Sequence, residues 1–186
     1  NLKNFKSLNK LFLKNRFRVV INCAAIIDIN YCESKFNEAL IINCKLVKFL
    51  SEMSKKFDFK FVQISTDHVY KGKKLKLNHE QSEIFAINKY AKTKILAEKY
   101  LKRLNNFLII RTNFTGKKKN TFIDWLVKSI KSKKIINLFH DMYTSTMDVN
   151  SCAEIIIDLA SLKSKGIYNL GSRNMISKKN FAISVS

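Results

Sequence analysis

The chain has 186 residues, 46% of them hydrophobic; that is the size and apolar content of one ordinary domain and excludes disorder as a whole-chain state. No apolar run approaches the roughly 18 residues that a membrane span needs, so a soluble, cytoplasmic protein is expected. The formal charge of +21 comes from 35 cationic residues against 14 acidic ones. Only Arg16, Arg18, Arg103, Arg111 and Arg173 are arginines, and the lysines are scattered instead of lining one element with interleaved aromatics. Nucleic acid is therefore not the expected partner. With no proline and four glycines, most turn punctuation is missing, as a strongly AT-biased coding sequence would also produce. The four cysteines form no C-x-x-C pair and lie in apolar stretches; buried thiols, with neither a metal site nor a disulfide framework, are expected.

In chain order, a β-rich run at 18–25 (RVVINCAA) predicts a strand, and Phe36, Ala39, Leu40, Leu46, Val47 and Leu50 recur at helical period. A second strand is predicted at 59–65 (FKFVQIS), followed by a lysine-rich surface loop at 71–76. Tyr90, Ala97, Tyr100 and Leu101 predict a helix, 107–111 (FLIIR) a strand, and Phe122, Trp125 and Leu126 a helix. Further strands are predicted at 135–139 (IINLF) and Gly166–Leu170, with a helix between them over Val149, Cys152, Ala153, Ile156, Leu159 and Ala160. Apolar strands alternating with amphipathic helices imply a doubly wound α/β fold with a parallel sheet covered on both faces.

Ligands of such sheets sit outside the carboxyl ends of the strands. Those ends are polar here: Asn22-Cys23-Ala24-Ala25, Ser65-Thr66-Asp67-His68 and Arg111-Thr112-Asn113-Phe114. Tyr90 and Lys94 stand four apart in a helical pattern, so both project from one face. Thr66 supplies a hydroxyl at a strand end. Asn43 interrupts an apolar helix stripe at an inward position, where a buried amide needs a partner; nearby backbone would also serve. Glu33 and Glu98 fit solvated helix faces, His79 and His140 surface loops, and Cys32 a packing role.

With these residues the chain resembles the extended short-chain dehydrogenase/reductases, and among them the dTDP-4-dehydrorhamnose reductase branch of sugar-nucleotide reductases. The resemblance is carried by 19–33 (VVINCAAIIDINYCE), 64–72 (ISTDHVYKG), 88–98 (NKYAKTKILAE) and 111–116 (RTNFTG), and more weakly by 141–154 and 166–181. It implies a Rossmann-like NAD(P)-binding domain over 1–139 and part of a substrate-binding region over 140–186. It also implies NADPH- or NADH-dependent reduction of a nucleotide-linked 4-keto-6-deoxysugar, as in dTDP-L-rhamnose biosynthesis, without a metal ligand set. Tyr90 matches the acid that protonates the nascent alkoxide, and Lys94 the cation that lowers the tyrosine's pKa and bonds the cofactor ribose. Thr66 matches the hydroxyl that orients the carbonyl, and Asp67 the adjoining substrate contact. Ala24, Ala25 and Ile26 match the segment along the nicotinamide half, with Asn43 beside them among the cofactor-binding positions. Phe114 stands in place of the aromatic packed on the sugar nucleotide. A homodimer is the candidate assembly.

Departures from the pattern are specific. No G-x-x-G-x-x-G occurs, and Gly72, Gly116, Gly166 and Gly171 form no cluster to replace it. The first strand matches a later strand of the family, so the chain, which starts at Asn1, is expected to be a piece of something longer. Taken alone it is expected to be catalytically silent and aggregation-prone. His68 stands where tyrosine is common, Ala91 where glycine usually follows the tyrosine, and Thr146 where proline is usual. The related dehydratases carry an Asp-Glu pair after the threonine; Asp67-His68 lacks that glutamate. An epimerase or dehydratase of the same superfamily, or a non-catalytic binding subunit, is the alternative.

Overall fold

A computed structural model describes residues 1–72, 77–116 and 121–185. Two compact units emerge, one of Asn1–Arg111 with Leu159–Asn169 and the other of Thr112–Asp158 with Leu170–Ser186. The boundary expected at 139/140 concerns which ligand each part serves, and compactness does not decide that.

The chain opens with helix α1 (Phe5–Lys14), whose first turn is capped by the Asn4 side chain accepting from the Ser7 N–H at 3.0 Å. Strand β1 (Val19–Asn22) follows, then α2 (Ile29–Ser34) and α3 (Phe36–Leu40). From α3 the helix runs through a π-helical segment, Ile41–Lys45, into α4 (Leu46–Phe57). Asp58, in the left-handed conformation at φ 51°, ends it, a position the short polar side chain tolerates. Next come β2 (Lys60–Thr66), a 3₁₀ turn at Asp67–Val69, α5 (Lys89–Leu101) and β3 (Phe107–Thr112). The second unit holds β4 (Phe114–Thr115), α6 (Phe122–Lys131), β5 (Tyr143–Thr144) and β6 (Met147–Asp148). Helix α7 (Val149–Ser161) leads back to β7 (Gly166–Leu170), and β8 (Ile176–Ser177) and α8 (Lys178–Val185) close the chain.

The main sheet has the order β1-β2-β3-β7, with β1 and β2 parallel in the register Val19↔Lys60 to Asn22↔Gln63. Its strands alternate with helices, the Rossmann-like α/β class expected. β2 and β3 are almost wholly buried, as strands covered on both faces are, and their polar residues, Lys60, Gln63 and Arg111 among them, are buried with hydrogen-bond partners. One core joins Phe12 of α1 and Leu46, Val47 and Leu50 of α4 to Phe59, Phe61 and Ile109 of the sheet region, with Ala97 and Leu101 from α5. Phe12 stacks on Phe59 at a centroid distance of 5.4 Å. Each large side chain buried there contributes about 1.5–3 kcal/mol. Lys60, at the start of β2, is buried as well. Its ammonium donates to the carbonyls of Leu159 at 2.8 Å and Leu162 at 2.6 Å, where α7 ends, and desolvation lowers its pKa.

Within the second unit β4 pairs parallel with β6, and β5 antiparallel with β8. Glycine is required at Gly171, where a Cβ would meet the Ser145 carbonyl oxygen at 2.9 Å. One expected strand is corrected: residues 135–139 carry no strand. Lys133, at φ 51°, turns the chain out of α6, and Ile135 is left 98% exposed. An apolar run becomes a strand only beside a free sheet edge, and among the described residues none pairs with this one. The lysine-rich loop falls partly outside the described residues; Lys71 and Gly72 are exposed and without regular structure. No helix among the described residues is long and apolar enough to cross a membrane.

Candidate active site

The chemistry-bearing residues of the first unit converge at the carboxyl ends of β1 and β2. Helix α5 is placed by its N-terminus. The Asn88 side chain accepts from the Ala91 N–H at 2.7 Å, and the Glu33 carboxylate accepts from the Lys89 N–H at 2.7 Å. Glu33 is thus on a solvated face, as expected, yet it also serves as an anion at a helix N-terminus. From there Tyr90, Lys94 and Glu98 follow at one-turn intervals along the face turned to β2.

Each of the three finds a partner in consecutive residues of that strand. Tyr90 hydrogen-bonds the Thr66 hydroxyl. Lys94 Nζ donates to the Ile64 carbonyl at 2.6 Å, and Ser65 Oγ donates to Glu98 Oε1 at 2.7 Å. Thr66 Oγ1 also accepts from the His68 N–H at 3.2 Å, which starts the 3₁₀ turn, and donates to Asp67 Oδ1 at 3.4 Å. The His68 ring meets the Tyr90 ring edge-on at 6.1 Å. Its Nε2 lies 3.9 Å from Asp67 Oδ1, and its Nδ1 is buried without a hydrogen-bond partner among the described residues.

The segment leaving β1 lies beside this helix. Asn22 Nδ2 donates to Gln63 Oε1 at 2.8 Å and its Oδ1 accepts from the Ala24 N–H at 3.2 Å, which turns the chain after the strand. Asn43, in the π segment, spends its whole amide on structure: Oδ1 accepts from the Ile26 N–H at 2.8 Å, and Nδ2 donates to the Ile26 carbonyl at 2.9 Å and to Thr93 Oγ1 at 3.0 Å. The partner that a buried Asn43 requires is therefore the backbone at Ile26 together with α5. Ile26 in turn packs on Cys32, Ala39 and Tyr90. Ala24 and Ala25 are half-buried between these contacts. Phe114 stands in the second unit, exposed on β4.

Electrostatics correct one expectation. Tyr90, 9% exposed, has its pKa pushed up to about 12 by burial, with the Thr66 hydrogen bond opposing and the Asp67 charge adding. The anticipated lowering by Lys94 is not found, because the lysine turns its ammonium to Ile64 and the phenol sits in a dry pocket. Lys94, 3% exposed, has its pKa pulled down to about 8 by desolvation, against which Glu98 and Cys23 act. For a lysine lowered on folding, the unfolded chain binds more protons between the two pKa values, so stability rises with pH across that window. The unfolding free energy of the wild type relative to Lys94→Met is expected to climb from pH 8 to pH 10 in parallel urea titrations. A flat difference rejects the buried, shifted ammonium.

Two other expectations are overturned. Glu98 does not lie on a solvated face: it is 1% exposed, in a bidentate pair with Arg111, which is 2% exposed. Arg111 extends the network to the Tyr70 hydroxyl at 2.8 Å and the Glu80 carbonyl at 3.1 Å, and Tyr70 donates to Asn169 Oδ1 at 2.6 Å. Sequence reasoning missed this pair, although Glu98 continues the four-residue spacing of Tyr90 and Lys94. Cys23 is exposed, not buried, and lies near enough to Lys94 to feel its charge; Cys32, Cys44 and Cys152 are buried, and all four are free thiols. No cluster able to hold a metal ion occurs among the described residues.

Comparison with known proteins shows the family and the fold. A family described as the RmlD substrate binding domain matches residues 1–186. The spore coat polysaccharide biosynthesis protein SpsK of Bacillus subtilis is 26% identical over 187 residues, covering 100% of this chain and 66% of that protein. A dTDP-4-dehydrorhamnose reductase of Aggregatibacter actinomycetemcomitans is 26% identical over 175 residues, with 90% and 60% covered. The crystal structure of dTDP-4-dehydrorhamnose reductase from Bacillus anthracis in complex with NADP superimposes with a TM-score of 0.93 at 25% identity, covering 100% of this chain and 66% of that one. The chain thus spans about two thirds or less of the length of these relatives.

Proposed function

Because the chain belongs to the RmlD substrate binding domain family, we propose that it forms the greater part of an NAD(P)H-dependent reductase. Its substrate would be a nucleotide-linked 4-keto-6-deoxysugar of the dTDP-4-dehydrorhamnose type. The observation that carries the reading is the buried convergence of Thr66, Tyr90 and Lys94 at the end of β2, on the scaffold of relatives named as such reductases. The assignment of these residues, and of Asp67 and Phe114 as substrate contacts, is part of the proposal.

The residues present fit the nicotinamide half of a dinucleotide. Ala24 and Ala25 present a small-residue edge just after Cys23, which feels the charge of the buried Lys94; that ammonium spends one hydrogen bond on Ile64 and is a donor suited to a ribose hydroxyl. The cofactor, when bound, supplies the hydride. The chain's residues do the rest. A phenol with a pKa of about 12 is fully protonated at neutral pH, so Tyr90 stands ready to give its proton to the alkoxide oxygen formed from the ketone. The Thr66 hydroxyl, already in contact with Tyr90, orients that oxygen. Asn43 holds Ile26 and α5 together, which sets the spacing between the cofactor edge and the acid.

The reaction class has a direct test. The full-length protein is expected to oxidise one NADPH or NADH per sugar reduced when given a dTDP-4-keto-6-deoxysugar, followed at 340 nm alongside product chromatography. The position after Asp67 holds His68, not the glutamate base a dehydratase needs, so a bound cofactor recycled without net oxidation is not expected. Product formed with no net oxidation of the added nucleotide would overturn the reading.

A further inference from the structure

A run of hydrogen bonds inside the first unit joins the turn after β1 to the seat of Lys94. It begins at the Ala24 N–H, which donates to Asn22 Oδ1 at 3.2 Å. Asn22 Nδ2 donates in turn to Gln63 Oε1 at 2.8 Å, and Gln63 Nε2 donates to the Ile64 carbonyl at 2.7 Å. That carbonyl also accepts from Lys94 Nζ at 2.6 Å, so both of its lone pairs are used. Asn22 and Gln63 face each other across the parallel register of β1 and β2, and they are 5% and 1% exposed.

The polarity of this run is set at its two ends by the backbone, because a peptide N–H can only donate and a carbonyl can only accept. Asn22 must turn its oxygen to Ala24 and its NH2 to Gln63. Gln63 is then left its oxygen for Asn22 and its NH2 for Ile64. Reversing one amide would set like against like at both of its contacts, and reversing both would do so at the two backbone ends. At a buried place either mismatch is costly, so the two amides hold a single arrangement. Gln63 is the member that bridges the strands: it reaches the turn at Ala24 through Asn22 and the Lys94 ammonium through the Ile64 carbonyl.

We propose that Gln63 is a positioning residue for the nicotinamide cofactor: it holds the Ala24–Ala25 edge and the Lys94 ammonium at one fixed spacing. The inference rests on the reading that this edge and Lys94 serve the cofactor, and it is tested by binding as well as by turnover. In the full-length protein Gln63→Met keeps the length of the side chain and removes both of its hydrogen bonds. Calorimetry with NADPH and with NADH compares the wild type, Gln63→Met, Asn22→Ala and the double variant. Affinity for the nucleotide that the wild type binds is expected to fall at least about tenfold in Gln63→Met. The KM for that nucleotide should rise in step, while kcat at saturation stays within about threefold, because the Tyr90 contact with Thr66 lies outside the run. A merely structural role would lower the urea midpoint and leave this split between KM and kcat unmade. The losses from Gln63→Met and Asn22→Ala should not multiply in the double variant, since each breaks the same run. Wild-type affinity in folded Gln63→Met, or losses that multiply, overturns the proposal. Should Gln63→Met fail to fold, the wild type still decides: the side-chain amide resonances of Asn22 and Gln63 should shift together as the nucleotide is added. Resonances unmoved at saturation overturn the proposal. The underlying reading fails differently, since a wild type that binds neither nucleotide would reject the cofactor assignment itself, whatever Gln63 does.

Discussion

Tyr90→Phe in the full-length protein is expected to lower kcat at least about 100-fold, the usual scale for removing an acid–base group, while leaving the fold intact. The ring packs against Cys32, Ala39 and the edge of His68, contacts that a phenyl group keeps. Only the hydroxyl is lost, and with it the hydrogen bond to Thr66. Circular dichroism and the urea midpoint should therefore change little, which separates a chemical defect from a structural one. Turnover within a few-fold of wild type would reject the role of Tyr90 in the reduction.

Arg111→Met is expected to destabilise the chain by about 3–5 kcal/mol, because it leaves the buried Glu98 carboxylate without its counter-ion. Arg111 makes two bonds to Glu98, one to Tyr70 and one to the Glu80 carbonyl, so four acceptor contacts lose their donor at once. Methionine fills much of the volume, which confines the loss to electrostatics and hydrogen bonding. Adding Glu98→Gln should restore a large part of the stability, since breaking one side of a buried pair costs more than replacing both sides. Urea denaturation of the two single variants and the double variant checks this. Additive losses would show that the two residues act independently.

The sheet and its helices were legible because burial on both faces leaves a plain mark. The strand runs at 59–65 and 107–111 are rich in apolar and β-branched residues despite Lys60, Gln63 and Arg111, and they became β2 and β3 within a residue at each end. The run at 135–139 carried the same mark without an edge to join, so composition alone misled. Helix α1 went unread: its Phe5, Leu8 and Phe12 face is diluted by lysines that lie on the solvent side. The two-residue strands of the second unit are too short for any period to register. At the site, the spacing of Tyr90, Lys94 and Thr66 was visible, and so was the inward position of Asn43. Glu98 was not, because a glutamate in a lysine-rich helix looks solvated until Arg111, on a strand 13 residues later, is brought against it. The direction of the Tyr90 shift was likewise hidden, since it depends on how dry the pocket is and not on which cations lie near in sequence.

The π segment at Ile41–Lys45 makes this part of the chain tolerant of a change in length in a way that substitution would not reveal. A π turn carries one residue more than an α turn and takes it up in its wider loop, so the arms on either side face as they would in a continuous α-helix one residue shorter. Ala39 thereby reaches the Tyr90 cluster while Leu46, Val47 and Leu50 reach the main core. Deleting one residue from 41–45 other than Asn43 should therefore leave both clusters in place, whereas a residue lost from α4 would rotate everything beyond it by about 100°. Among homologous chains, single-residue length differences should accordingly gather within these five residues and be rare in the helices on either side.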